Sequence, residues 1–310
     1  MGFNPSLKGP MLAQNQFVRS HGLGNDYLVV DPKTLTFALT PETVRLICDR
    51  HTGVGSDGIL VYQPSPSPEF EAVLRIFNPD GSEAEKSGNG LRIFCKFVYE
   101  HGYTKKTEFG VKTAGGPVKA VLHLENGRAG WITVDMGSAT FDAAKIPVNG
   151  FTGEVVAKDL PVTAGGSTKT LKVTCVSVGN PHCVVFLEDL ESLDINVWGP
   201  ALENHPAFPN RSNVQFAKPL NDKEVDIRIW ERGAGYTMAS GSSSCAVAAA
   251  CVRNGRTKGD LTLHMPGGDL SIRVDEKYQL TMRGPVAEVC VGTLSGELLS
   301  DLESVAPRHP

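Results

Sequence analysis

Apolar and polar positions alternate along Ala72-Val73-Leu74-Arg75-Ile76-Phe77, and a period of two predicts a strand with one face on a core. A Gly-bearing turn follows, and then the pattern changes. Leu91-Arg92-Ile93-Phe94-Cys95-Lys96-Phe97-Val98-Tyr99 reads as a helix, as does Cys245 to Val252 in the second half. Gly102 and Gly255 stop the two helices, as a glycine just past a C-terminus does. Ala246-Val247-Ala248-Ala249-Ala250-Cys251 is apolar nearly all round, which predicts a helix enclosed by its own lobe. Strands separated by Gly-Gly and Asn-Gly turns flank both helices, and Val286 to Val291 adds another near the end.

The pattern repeats when the chain is slid against itself by about half its length. Leu74-Arg75-Ile76-Phe77-Asn78 matches Ile227-Arg228-Ile229-Trp230-Glu231, an offset of 227 − 74 = 153. Ser87-Gly88 matches Ser240-Gly241 and Gly102 matches Gly255 at the same offset. Thr113-Ala114-Gly115-Gly116 aligns with Met265-Pro266-Gly267-Gly268 after one residue of slip. Upstream, Gly24-Asn25-Asp26-Tyr27 aligns with Gly179-Asn180-Pro181-His182 at 179 − 24 = 155. Five matches in one order point to an internal duplication. The expected fold is α+β: two pseudo-symmetric lobes, each a curved, mostly antiparallel sheet around a central helix. Residues 1–16 read as a flexible tail, 17–130 as an N-terminal lobe completed by 285–310, and 131–284 as a C-terminal lobe. The active site is expected in the cleft between lobes.

Composition narrows the classes. Hydrophobic residues at 41% and charged residues at 21% fit a globular protein, and a net charge of −4 without a basic run argues against nucleic acid or an anionic membrane as partner. No apolar stretch reaches the roughly 18–20 residues of a membrane span. Met1-Gly2 with Ser6 matches the loose myristoylation pattern, which Pro5 weakens. Seven cysteines, an odd number with no C-x-x-C, argue against a disulfide framework or zinc site and suit a cytoplasmic, reducing compartment.

The chemistry should sit where the repeats place two helix starts at Ser87-Gly88 and Ser240-Gly241. A helix N-terminus offers unpaired N–H groups and partial positive charge, and so binds a carboxylate. Two such ends facing one cleft would hold a carboxylate with acid–base groups on both faces of the adjacent carbon. The plainer alternative makes Ser87 and Ser240 ordinary N-caps.

At these residues the chain resembles the diaminopimelate epimerase family, from about Phe17 to about Leu294. The resemblance rests on His21-Gly22-Leu23-Gly24-Asn25-Asp26, on Arg50 to Gly58, and on Asn78-Pro79-Asp80-Gly81-Ser82-Glu83-Ala84-Glu85 running into Ser87-Gly88-Asn89-Gly90. In the second half it rests on Gly179-Asn180-Pro181-His182, Asn213-Val214 and Glu231-Arg232-Gly233-Ala234-Gly235. It implies an isomerase of the lysine pathway that interconverts LL- and meso-diaminopimelate by two-base proton transfer, with no pyridoxal phosphate, metal or other cofactor. The implied partner is a diaminopimelate-like amino acid, and a homodimer stays open as an assembly. The reacting carboxylate would lie on Gly88-Asn89 and Gly241-Ser242. Asn25, Asn78, Asn180, Asn213 and Arg232 would hold the distal head, and His182 and Glu231 would flank the reacting centre. Arg232 has the fork that pairs with a second carboxylate. Singly, each has a plain alternative: left-handed turn residues for Asn25 and Asn180, an Asx turn for Asn78, a solvated charge pair for Glu231 and Arg232.

The family places cysteine at both catalytic positions, where this chain has Ser87 and Ser240. A thiol titrates near about 8.5, whereas a serine hydroxyl needs an adjacent base. Lys86, Ser243 and Ser244 also depart from the commonest family loops. Four readings stay open: a Cys-to-Ser variant, a natural branch using serine hydroxyls with help from His182 and Glu231, a non-catalytic binder, and a related isomerase or dehydratase.

Overall fold

The computed structural model describes residues 11–305; the myristoylation-like stretch Met1 to Ser6 lies outside the described residues. Two compact units form. One takes the chain up to Val134 together with everything from Gly284 onward, and the other is Asp135–Arg283.

The first unit contains strands β1 (Gln16–Gly22), β2 (Asn25–Val30), β3 (Ile59–Pro64), β4 (Ala72–Phe77), β5 (Glu83–Ala84), β6 (Glu108–Thr113), β7 (Gly116–Glu125) and the start of β8 (Arg128–Ser138), with helices α1 (Pro41–Cys48) and α2 (Gly88–Glu100). Neighbouring strands are antiparallel except for the parallel pairs β2–β3 and β4–β6. The chain's last strand, Ala287–Thr293, pairs antiparallel with β1. Helix α2 touches β1, β2, β3, β4 and β7, and every residue from Asn89 to Glu100 is buried. Its charged members are matched internally. Lys96 Nζ lies 2.7 Å from Glu100 and donates to the Ala129 carbonyl at 3.0 Å, while the Ala129 N–H donates to Glu100 at 2.8 Å. The helix stops at Gly102, whose φ of +77° is open to glycine at no steric cost. On a separate core, α1 and the last helix, Gly296–Val305, supply Val44, Ile47 and Leu302 against Phe17, Leu28, Ile59 and Phe77. Within the expected tail, Leu12 and Asn15 are buried, and the Asn15 N–H donates to the Thr34 carbonyl.

The second unit holds the end of β8 and strands β9 (Lys158–Ala164), β10 (Ser167–Ser177), β11 (Pro181–Phe186), β12 (Asn213–Pro219), β13 (Glu224–Glu231), β14 (Gly235–Thr237), β15 (Asp260–Met265), β16 (Gly268–Val274) and most of β17 (Gln279–Pro285), with helices α3 (Ile195–Glu203) and α4 (Gly241–Arg253). Its register follows that of the first unit. Leu28 faces Ile59 across β2–β3, and Cys183 faces Val214 across β11–β12, both partners shifted by 155. Ile76 faces Ala84 and Ile229 faces Thr237, both shifted by 153. Helices α2 and α4 have 13 residues each. As its composition requires, α4 is enclosed: Cys245 to Cys251 are fully buried. Helix α3 packs on the other side of the sheet, where Gly199 comes so close to the Trp230 ring that a Cβ would meet it at 2.6 Å.

Candidate active site

Both Ser-Gly turns cap their helices. Ser87 (φ −139°, ψ 122°) accepts from the Gly90 N–H at 3.0 Å, and Ser240 (φ −147°, ψ 127°) accepts from the Ser243 N–H at 3.4 Å. The cap occupies the third N–H of each first turn. Those of Gly88 and Asn89, and of Gly241 and Ser242, have no partner within the helix by α-geometry, and stand at the positive end of the dipole.

In the first unit, three side chains join this turn. The Tyr27 hydroxyl lies 3.4 Å from Ser87 Oγ. Asn89 donates through Nδ2 to Asn25 Oδ1 at 3.1 Å, and Asn25 donates to Asp57 at 2.8 Å. Asn25 is the first residue of β2 and does not take the left-handed conformation, which falls on Leu23 and Gly24 instead. Behind it, Arg50 bridges Asp57 and Asp26, and Arg19 also holds Asp26. Burial works against the Asp26 carboxylate, but the two guanidiniums outweigh it and keep its pKa below the usual value. Asn78 behaves differently. Its amide donates to the Ser82 hydroxyl at 3.0 Å, inside its own turn, instead of joining the Asn25–Asn89 pair.

In the second unit, His182 is fully buried on β11. Gln215 Nε2 donates to its Nδ1 at 3.0 Å, so the ring proton sits on Nε2 and is given to Asn180 Oδ1 at 2.8 Å. Burial, reinforced by the charge of Arg232, lowers its pKa to about 3 despite the bond from Gln215. The imidazole is therefore neutral at physiological pH. Gln215 Nε2 also donates to Ser243 Oγ at 3.0 Å, which connects the histidine to the first turn of α4. Asn213 Oδ1 accepts from the Arg232 N–H at 3.0 Å, and its Nδ2 donates to the Pro181 carbonyl at 2.9 Å. Arg232 is exposed and donates to the Asn210 carbonyl at 3.1 Å. Burial raises the pKa of the Glu231 carboxyl, and the neighbouring Ser240 hydroxyl pulls it the other way. Among the described residues, no group of three or more His, Cys, Asp or Glu side chains could hold a metal ion.

A family model described as Diaminopimelate epimerase matches residues 17–142 and 174–289. The chain is 44% identical over 285 residues to "Diaminopimelate epimerase 2" of Nostoc sp., covering 92% of this chain and 97% of that one. The chain belongs to the diaminopimelate epimerase family. A second relative, "Diaminopimelate epimerase" of Pelotomaculum thermopropionicum, is 42% identical, with 89% and 97% covered. Among solved structures, a hydroxyproline epimerase from Agrobacterium vitis superposes with a TM-score of 0.67, covering 90% of each chain, at 15% identity. At that identity the likeness speaks for the fold alone, and it agrees with the two-lobed α+β architecture of an epimerase of this family.

Tyr27, Asp57, Arg92 and Gln215 were given no site role from sequence, and Ser243 was noted only as a departure from the commonest family loops. A signal existed for some. Tyr27 aligns with His182 in the repeat, since 182 − 27 = 155, and Gln215 interrupts the apolar strand Val214-Gln215-Phe216.

Proposed function

We propose that the chain interconverts LL- and meso-diaminopimelate by removing the α-proton from one face and returning a proton to the other. The observation that carries this reading is the match to relatives of that name at 42–44% identity over about nine-tenths of the chain. The assignment of site residues is part of the proposal, as are the duplication, the two half-sites meeting one substrate, a cytoplasmic location, independence of pyridoxal phosphate, and a homodimer. The substrate's reacting carboxylate accepts from the first-turn N–H groups of α2 and α4. Arg232, an exposed guanidinium beside Asn213, takes the distal carboxylate.

Serine changes the proton chemistry. Glu231, beside Ser240 and with a raised pKa, is the base that Ser240 needs. The α-C–H bond breaks with its electron pair left on carbon, Ser240 Oγ takes the proton, and the hydroxyl proton passes to Glu231. Ser87 then gives its proton to the opposite face and is reprotonated from Tyr27, 3.4 Å away, whose phenolate recovers a proton from solvent, while Glu231 releases the proton it took to solvent. His182, neutral and saturated by Gln215 and Asn180, orients this half-site and is not its base.

Uptake of deuterium at the α-carbon of LL- or meso-diaminopimelate in D₂O tests the reading. No uptake at high enzyme concentration refutes catalysis. The serines themselves favour a second reading, an amino-acid binder without turnover. Calorimetric binding without exchange supports it, and Ser87→Cys with Ser240→Cys should then create exchange.

A further inference from the structure

We infer that Arg92, a fully buried side chain on α2, is a positioning residue that sets the direction of the Asn89 and Asn25 amides. The inference rests on the reading of Gly88-Asn89 and Asn25 as part of an anion-binding half-site. Arg92 donates to the Gly88 carbonyl at 3.3 Å and to Asn89 Oδ1 at 2.8 Å. Asn89 Nδ2 donates onward to Asn25 Oδ1, and Asn25 Nδ2 to Asp57 Oδ2. The ends of this chain are unambiguous. A guanidinium only donates and an ionised carboxylate only accepts. Asn89 must therefore show oxygen to Arg92, and Asn25 must show its amide nitrogen to Asp57. Reversing either amide sets donor against donor or acceptor against acceptor at both of its ends.

The far end is anchored as well. Arg50 donates to Asp57 Oδ1 at 2.7 Å, and the Asp26 N–H donates to Oδ2 at 3.1 Å. Space for the guanidinium comes from Gly22, where a Cβ would lie 3.0 Å from an Arg92 nitrogen. With its direction fixed, each asparagine keeps one further N–H to present, next to the first-turn N–H groups of α2. Arg92 thus makes this half-site an array of donors suited to a carboxylate, with a buried positive charge one turn behind it. The second unit has Cys245 at the aligned position, since 245 − 92 = 153, so the device belongs to one half-site.

Binding of diaminopimelate by calorimetry and α-exchange kinetics test this on the full chain, in both the native and the doubly Cys-restored protein. Arg92→Met and Asn89→Asp should each raise Kd and KM at least tenfold while kcat falls much less, because the lost interaction serves ground and transition states alike. Arg92→Lys, which keeps a cation and a donor, should recover at least half of that loss on a logarithmic scale. Variants that unfold in urea like the parent yet hold Kd within twofold overturn the inference. Should Arg92→Met fail to fold, Asn89→Asp decides alone. A parent that binds no diaminopimelate sinks the proposed function instead. In that case side-chain amide exchange by NMR still reads the inference. The Asn25 and Asn89 amide protons should exchange slowly in the parent and at least tenfold faster in Arg92→Met, and equal rates refute it.

Discussion

Glu203 should be the clamp that holds the Glu231–Arg232 segment in place. It is buried at the end of α3 and accepts three bonds: from Trp230 Nε1 at 2.8 Å, the Gly233 N–H at 2.8 Å and Arg211 at 3.0 Å. The donors are not worth the same. Arg211 and Gly233 are exposed and recover water when the carboxylate is removed, so together they should cost about 1 kcal/mol. The Trp230 indole is partly buried, and loss of a charged acceptor there costs about 2 kcal/mol. Glu203→Ala is therefore expected to lose about 3 kcal/mol. Glu203→Gln should lose about 2 kcal/mol, because its oxygen can satisfy the two exposed donors only by turning its amide nitrogen toward the indole N–H. Urea unfolding followed by fluorescence measures both. A double-mutant cycle isolates the cause: in a Trp230→Phe background the Gln substitution should cost less than about 1 kcal/mol. Additive losses, or a Gln variant within about 0.5 kcal/mol of the parent, refute the argument.

Three further outcomes follow from buried groups. The folded chain keeps His182 neutral down to about 3, so below its ordinary pKa of 6.5 the unfolded chain takes up a proton that the fold refuses. Stability should fall with pH across that window by about 1.4 kcal/mol per unit, and His182→Gln should lose at least about 2 kcal/mol less than the parent between pH 6.5 and 4.5 in urea titrations. Lys96→Met strands the Glu100 carboxylate inside the first unit and should cost about 3–5 kcal/mol, whereas Lys96→Met with Glu100→Leu should cost clearly less by the same assay. Gly199→Ala drives a Cβ into the Trp230 ring and should cost about 1–3 kcal/mol, with a red-shifted Trp emission as the ring is displaced.

Legibility differed between residues for a physical reason. The strand over 72–77, both central helices and their glycine stops are local matters of period and capping, and they appear where the pattern places them. The lone structural role offered for each of the two serines, helix capping, is also met, because an N-cap is read from four consecutive residues. Asn78, which the resemblance gives to the distal head, donates through its amide to Ser82, four residues on. The partners of Gln215 and Glu203 lie on other segments of the chain, such as His182 for Gln215, 33 residues away, and Arg92 reaches Asn25 only through Asn89 on its own helix. A polar residue in an apolar run signals that a partner exists, but the run does not name it.

By itself the sequence determined the repeated α+β plan, the family and the two capped helix starts, since periodicity, end signals and motif order are written along the chain. Only the tertiary structure decided which hydroxyl has which neighbour. Ser240 has a carboxylate whose burial raises its pKa, and Ser87 has a phenol. His182 is held neutral by burial and by the charge of Arg232, against the bond from Gln215. Proton affinity depends on desolvation and on groups brought close by folding, and neither is a property of sequence position.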